Sequence, residues 1–179
     1  MMEKDWISNG VSTLEQLCTA VGLAIEGDLE APAGVTLWSS AYAAVAFWPM
    51  CEDQLVIDAS KAEAWFADYL FGEERRRNAR VVDGYLLLAF AQPVTEALLG
   101  AVRSVELSTQ ICRKHAVWPE TNGEWRRLDA VTVLGLPKAV TSASGEPAWP
   151  VLDSEAASLW ARIQTSGPKR AAEAEEIRP

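Results

Sequence analysis

The residues of this chain best equipped for chemistry are few, and their spacing suits it badly. There is one histidine, His115, and there are three cysteines, Cys18, Cys51 and Cys112. Cys112 and His115 make a C-x-x-H step that could offer a zinc ion two ligands. The others would have to come from Cys18, Cys51 or carboxylates at no recognisable spacing. If Gln110–Trp118 is a strand, Cys112 and His115 also point to opposite faces, which defeats a thiol–imidazole nucleophile. Asp83, Glu106 and Lys114 invite comparison with magnesium nucleases of the restriction-endonuclease type, where an acid precedes an acid-x-Lys step on the next strand. Here Glu106 and Lys114 stand eight positions apart, so they read as a surface acid and a solvated lysine. No P-loop, G-x-G-x-x-G or G-x-S-x-G step occurs. No catalytic, cofactor-binding or metal-binding residue is expected.

Two basic clusters could touch phosphate: Arg75, Arg76 and Arg77 with Arg80, and Arg113, Lys114 and His115 with Arg126 and Arg127. The first follows Glu73 and Glu74 at a helix end, where the dipole favours cations in any case. The net charge of −9 falls mostly in residues 1–60, which hold Lys4 against nine acids. That third would repel a nucleic-acid backbone; it serves solubility or meets a basic partner. Eight tryptophans are well above the usual share, and Trp6, Trp125, Trp149 and Trp160 sit in polar or linker-like surroundings. Tryptophan is enriched among interface anchors, and its alternative use is as core or as a wrap lying on the domain.

The elements that must position these residues follow from periodicity. Leu14, Leu17, Cys18, Val21 and Ile25 form a helical stripe opened by a Ser12–Glu15 capping box. Val35–Trp48 reads as one or two strands ended by Pro49, with a helix over Ser40–Phe47 as the competitor. A second capping box, Ser60 to Glu63, opens a helix carrying Ala62, Trp65, Phe66, Tyr69 and Leu70 on one face and ending at Gly72. Arg80–Phe90 is a near-continuous apolar strand suited to a sheet covered on both faces. A third helix follows Pro93, with Thr95 as N-cap, Val94 stapled to Leu99, and Leu98, Leu99, Val102 and Val105 buried. In the strand Gln110–Trp118, Ile111 and Val117 share one face, and Cys112, Ala116 and Trp118 the other. Pro119–Gly123 is a turn, and Leu128–Leu136 a strand or a short helix.

These elements predict an α/β or α+β single domain, a mixed sheet with helices packed on it. Its core spans 1–137, followed by a wrap or linker with a short helix at 138–166 and a disordered tail at 167–179. Met1–Gly10 has no apolar stretch behind a basic flank, and the longest apolar runs are far too short to span a bilayer. With widely spaced cysteines as small buried hydrophobes, a soluble cytoplasmic protein without membrane contact is expected.

Three stretches carry a family resemblance: Gly84–Phe90, Val102–Lys114 and Leu128–Pro137. Together they resemble the middle component of ABC-three-component systems, bacterial defence operons related to Lamassu. In that family an apolar strand is followed by a helix and a strand with an acidic-Thr-x-x-Cys-Arg-Lys signature, met here by Glu106, Thr109, Cys112, Arg113 and Lys114. The resemblance implies a non-catalytic accessory subunit binding an SMC-like ATPase and a separate effector, often a nuclease, in anti-phage or anti-plasmid defence. It implies indirect contact with DNA within that complex and no cofactor. Trp125, Trp149, Trp160, Arg113 and Lys114 are the partner-binding residues this reading selects. Two other classes stay open: a small acidic immunity protein that binds a toxin, and an atypical magnesium nuclease using Asp83, Glu106 and Lys114.

Overall fold

The structure is a computed structural model that describes residues 5–27, 29–76, 81–136 and 153–167, with 170 and 172. Trp149, Arg77 and Arg80 lie outside the described residues, as does most of the expected wrap and tail. The chain divides into two compact units, Met1–Ala139 and Val140–Pro179.

The first unit holds six strands in one mixed sheet, in the order β1-β2-β3-β4-β5-β6. They are Ala24–Ile25 (β1), Thr36–Ser39 (β2), Ala43–Pro49 (β3), Asp83–Ala89 (β4), Arg113–Pro119 (β5) and Trp125–Arg126 (β6). β3, β4 and β5 are parallel neighbours, and the remaining pairs are antiparallel. The helices are Asp5–Ala20 (α1), Leu55–Arg76 (α2) and Leu99–Leu107 (α3). α2 joins β3 to β4, and α3 joins β4 to β5, the crossovers that parallel neighbours require. The fold is α+β, with a mixed sheet covered by helices.

Alternation along β4 sorts the core. Tyr85, Leu87 and Ala89 join Leu14 and Cys18 of α1 on one face. Leu86, Leu88 and Phe90 join Ala62, Phe66 and Leu70 of α2 and Val102 of α3 on the other. Both faces being covered, β4 carries no polar alternation. Two glycines permit the close approaches. A Cβ on Gly10 would lie 2.5 Å from the Trp125 ring and 2.9 Å from Phe47, and one on Gly84 would lie 2.6 Å from Leu70 Cδ1. A side chain at either site would push helix and sheet apart.

Several boundaries differ from expectation. α1 begins at Asp5, so Ser12 and Glu15 lie inside it. It ends at Gly22 in a Schellman arrangement, with Leu23 N–H donating to Cys18 O and Gly22 N–H to Thr19 O. Ile25 therefore belongs to β1, not to the helical stripe. α2 is entered through a 3₁₀ turn at Glu52–Gln54, which places Ser60 and Glu63 in its interior. The Ser60 hydroxyl donates back to Val56 O at 2.9 Å, a mid-helix habit of serine. Gly72 does not end α2, which continues to Arg76; the cost is about 1 kcal/mol relative to alanine. Val35–Trp48 resolves into two strands, so the helical competitor falls away. Thr95 precedes a 3₁₀ turn that leads into α3, but its side chain caps nothing, and Leu99 is exposed. Leu128–Leu136 is neither strand nor α-helix: two 3₁₀ turns, Leu128–Ala130 and Thr132–Gly135, bury Leu128, Val131, Val133 and Leu134 on the α1 face.

In the second unit, Ser154–Ser166 forms α4. Asp153 caps it by accepting from the backbone N–H groups of Glu155 and Ala156, and Trp160 is exposed on it. Among the described residues no helix is long and apolar enough to cross a membrane.

Candidate functional site

The residues singled out by their chemistry go to separate places. Lys114 alternates with Cys112 and Ala116 on the face covered by α2 and α3, and only 3% of it is exposed. Its Nζ lies 2.5 Å from Glu63 Oε1 and donates to Ser108 O. The expected solvated lysine is thus a buried ion pair between β5 and α2. Partner removal would leave a desolvated charge, the costly outcome for such pairs.

Glu106, at the end of α3, works on the backbone of β5. Its Oε1 accepts from Ala116 N–H at 2.8 Å and from Arg127 Nη1 at 2.8 Å. Arg127 Nη1 also donates to Ala116 O at 3.2 Å, and its Nη2 to Glu106 Oε2 at 3.1 Å. The bidentate pair takes up the donor and acceptor that β5 turns away from β4, as a neighbouring strand would. Arg127 holds a left-handed backbone, φ 67°, and lies over the Trp118 ring, 5.7 Å from its centroid. Such a backbone is rare for a residue other than glycine, and the surrounding contacts hold it there.

Asp83 and Arg113 form a third group. Arg113 Nη1 donates to the Tyr85 hydroxyl at 3.0 Å, stands 3.4 Å from Asp83 Oδ1, and its guanidinium lies over the Tyr85 ring. The three residues of the nuclease comparison thus have different partners: Arg113 for Asp83, Arg127 for Glu106 and Glu63 for Lys114. Among the described residues no group of three or more His, Cys, Asp or Glu side chains is arranged to hold a metal ion.

Among the described residues, neither thiol–imidazole chemistry nor a phosphate-binding patch is assembled. His115 stacks on Tyr85, away from Cys112, and burial holds its pKa below the usual value, helped by Arg127 and Arg113 and opposed by Glu106. Burial pushes the Cys112 thiol up to about 11 and the Cys18 thiol to about 12, so neither is a thiolate at neutral pH. Of the basic residues expected to cluster, Arg126 pairs with Glu120 and Arg76 with Glu73, while Arg113, Lys114 and Arg127 have the separate partners given above.

Trp125 is a core residue rather than a surface anchor. It packs on Phe47 and Trp6, and its indole N–H donates to Asn9 Oδ1 at 2.7 Å. Trp6 belongs to the same cluster. Of the selected tryptophans, Trp160 alone is described on a surface.

One open hollow lies where β4 and β5 begin. Of about 350 Å³, it is walled by Leu70 and Phe71 of α2, by Val81 and Asp83, and by Ile111 and Arg113. Phe71, Val81 and Ile111 are 50%, 77% and 41% exposed, an unusual concentration of large apolar side chains in one spot. Thr109, Cys112 and Arg113 of the acidic-Thr-x-x-Cys-Arg-Lys stretch line it. Reading residue types in isolation missed Phe71 and Val81, because a helix end and a strand start that meet only in the fold carry no joint pattern. Compared with protein-family models, with curated proteins and with solved structures, the chain matches none.

Proposed function

We propose that the chain is a non-catalytic accessory subunit of a defence complex formed by an SMC-like ATPase and an effector, often a nuclease. One observation carries the reading. The segment that resembles the family's signature lines a hollow edged by three exposed apolar side chains, a surface suited to being covered by another protein. The other ionisable members of the signature, Glu106 and Lys114, hold β5 in place, which is the work of a scaffold.

The test is to express the chain with its neighbouring genes and identify what co-purifies. A large coiled-coil ATPase should elute with it, and Phe71→Asp and Ile111→Asp should abolish that elution. Because each side chain is about half exposed, the fold should survive with a stability loss of about 1–2 kcal/mol, checked by thermal denaturation. A small toxin in the eluate would overturn the reading in favour of an inhibitor. An ATPase retained by both variants would remove the hollow from the interface.

A further inference from the structure

A second opening shares no residue with the hollow. It is a recess of about 520 Å³ between α1 and the segment that follows β5. Thr13 and Leu17, one turn apart on α1, form one wall. Trp125 of β6, with Leu128 and Leu134 of the two 3₁₀ turns, forms an apolar floor. The rim is acidic, since Glu124 and Asp129 also line the recess and both are exposed. Their charges are not offset. Residues 120–136 hold two cations, Arg126 and Arg127, of which the first is bonded to Glu120 and the second to Glu106. α1 contains no Lys or Arg. Asn122 donates to Glu124 at 3.0 Å, but a neutral amide leaves the carboxylate charge in place. Among the described residues, neither Glu124 nor Asp129 has an ion-pair partner.

We infer that this recess receives an arginine or lysine side chain from a basic segment of a partner protein. The methylene stem lies on Leu17, Trp125, Leu128 and Leu134, and the charged head meets Glu124 and Asp129 at the rim. That division between apolar floor and charged margin is the one such side chains favour, and the two carboxylates select the partner by its charge. A purely aliphatic side chain would leave the rim unused, and a phosphate-bearing ligand would be repelled. A second copy of the chain fits poorly, because each copy carries a net charge of −9. The inference goes beyond the accessory-subunit reading and does not depend on it.

The test uses the full chain and three fluorescently labelled peptides, alike except at their arginine positions. One carries arginine, one citrulline, which keeps the shape without the charge, and one an analogue whose guanidinium sits on a shortened stem. Anisotropy is read in about 0.15 M salt, where distant charges are largely screened. The arginine peptide should bind, and each of the others about tenfold more weakly or worse, equivalent to about 1.4 kcal/mol. Glu124→Gln combined with Asp129→Asn neutralises the rim, and Thr13→Trp fills the recess without changing charge. Each should weaken the arginine peptide by a similar factor. Thr19→Trp, exposed on α1 outside the recess, should leave it unchanged. Equal binding of the arginine and short-stem peptides, or equal binding by wild type and Thr13→Trp, would mean that charge alone attracts the peptide, and would overturn the inference. Should Thr13→Trp unfold, the short-stem peptide and the neutral rim still decide. No binding by the wild type, or sedimentation showing copies of the chain joined through the recess, would overturn it as well. No neighbouring gene product takes part, so failure here leaves the co-purification result standing.

Discussion

On the α1 face of the sheet, Trp6, Phe47 and Trp125 close a three-ring cluster with centroids 5.6–6.4 Å apart, and two 3₁₀ turns seal its margin with aliphatic side chains. On the α2/α3 face the sheet offers small residues, Ala44 and Ala46, beneath Phe66 and Leu70, and one buried ion pair, Glu63 with Lys114. Large rings fill the first face. Small residues draw α2 close on the second but leave a groove between the helices and apolar side chains turned outward. The α1 face is thus held by its rings, although the recess of about 520 Å³ opens at its margin beside Thr13, Leu17, Trp125 and Leu134, whereas the large exposed apolar side chains gather on α2 and the elements beside it.

The comparison breaks most easily at Trp125. Trp125→Ala should cost about 3–5 kcal/mol in chemical denaturation, because it removes two ring contacts and leaves a cavity under α1. A loss below about 1 kcal/mol would show that the face is not held by its rings. On the other face the ion pair gives the next largest effect. Glu63→Ala strands the Lys114 ammonium, a change worth about 3–5 kcal/mol in a dry interior and nearer 2 here, since water reaches Glu63. Lys114→Met should cost less than Glu63→Ala, because methionine suits the buried site and Glu63 can turn to solvent. If the two variants are equally destabilised, the pair itself, not the stranded lysine, is what holds α2 to β5.

Much of this was legible in the sequence where one period governed a whole element. The run through β4 announced a strand covered on both faces, and alternation in β5 correctly put Cys112, Ala116 and Trp118 together. The same alternation puts Lys114 on the buried side, where its residue type alone argues for solvent. Glu63, its partner, imitates half of a capping box, because Ser-x-x-Glu has the same spacing at a helix start and in a helix interior. Helix starts were missed where burial extended a stripe beyond its cap-like residues, as at Asp5 and Leu55. The charged sequence neighbours of Trp125 do not decide between an interface anchor and a core residue. Its surroundings are set by α1, more than a hundred residues earlier, and only tertiary pairing could reveal that.

The smallest effect, and the finest comparison, comes from the thiols. Cys18 lies on the α1 face, Cys112 on the α2/α3 face beside the hollow, and Cys51 is exposed. In the native protein a thiol reagent should modify Cys51 at once, and the two buried cysteines only through opening of the structure. Cys112 should react before Cys18, because the hollow already brings solvent near it. The reverse order would mean that the ring cluster is the looser region. Alkali probes the same groups. Burial raises Cys18 from 9.0 and Tyr69 from 10.0, each to about 12, and Cys112 from 9.0 to about 11. Each is held neutral in the folded chain, and the unfolded chain releases its proton at lower pH. Their contribution to stability is therefore complete below about pH 9, and is lost as pH rises through about 11 to 12. Cys18→Ala and Cys112→Ala should each flatten that alkaline decline while differing from wild type by a constant amount at pH 7. An alkaline decline of unaltered slope in both variants would assign it to the tyrosines that burial raises, Tyr69, whose hydroxyl donates to Glu26 at 3.2 Å, and Tyr85.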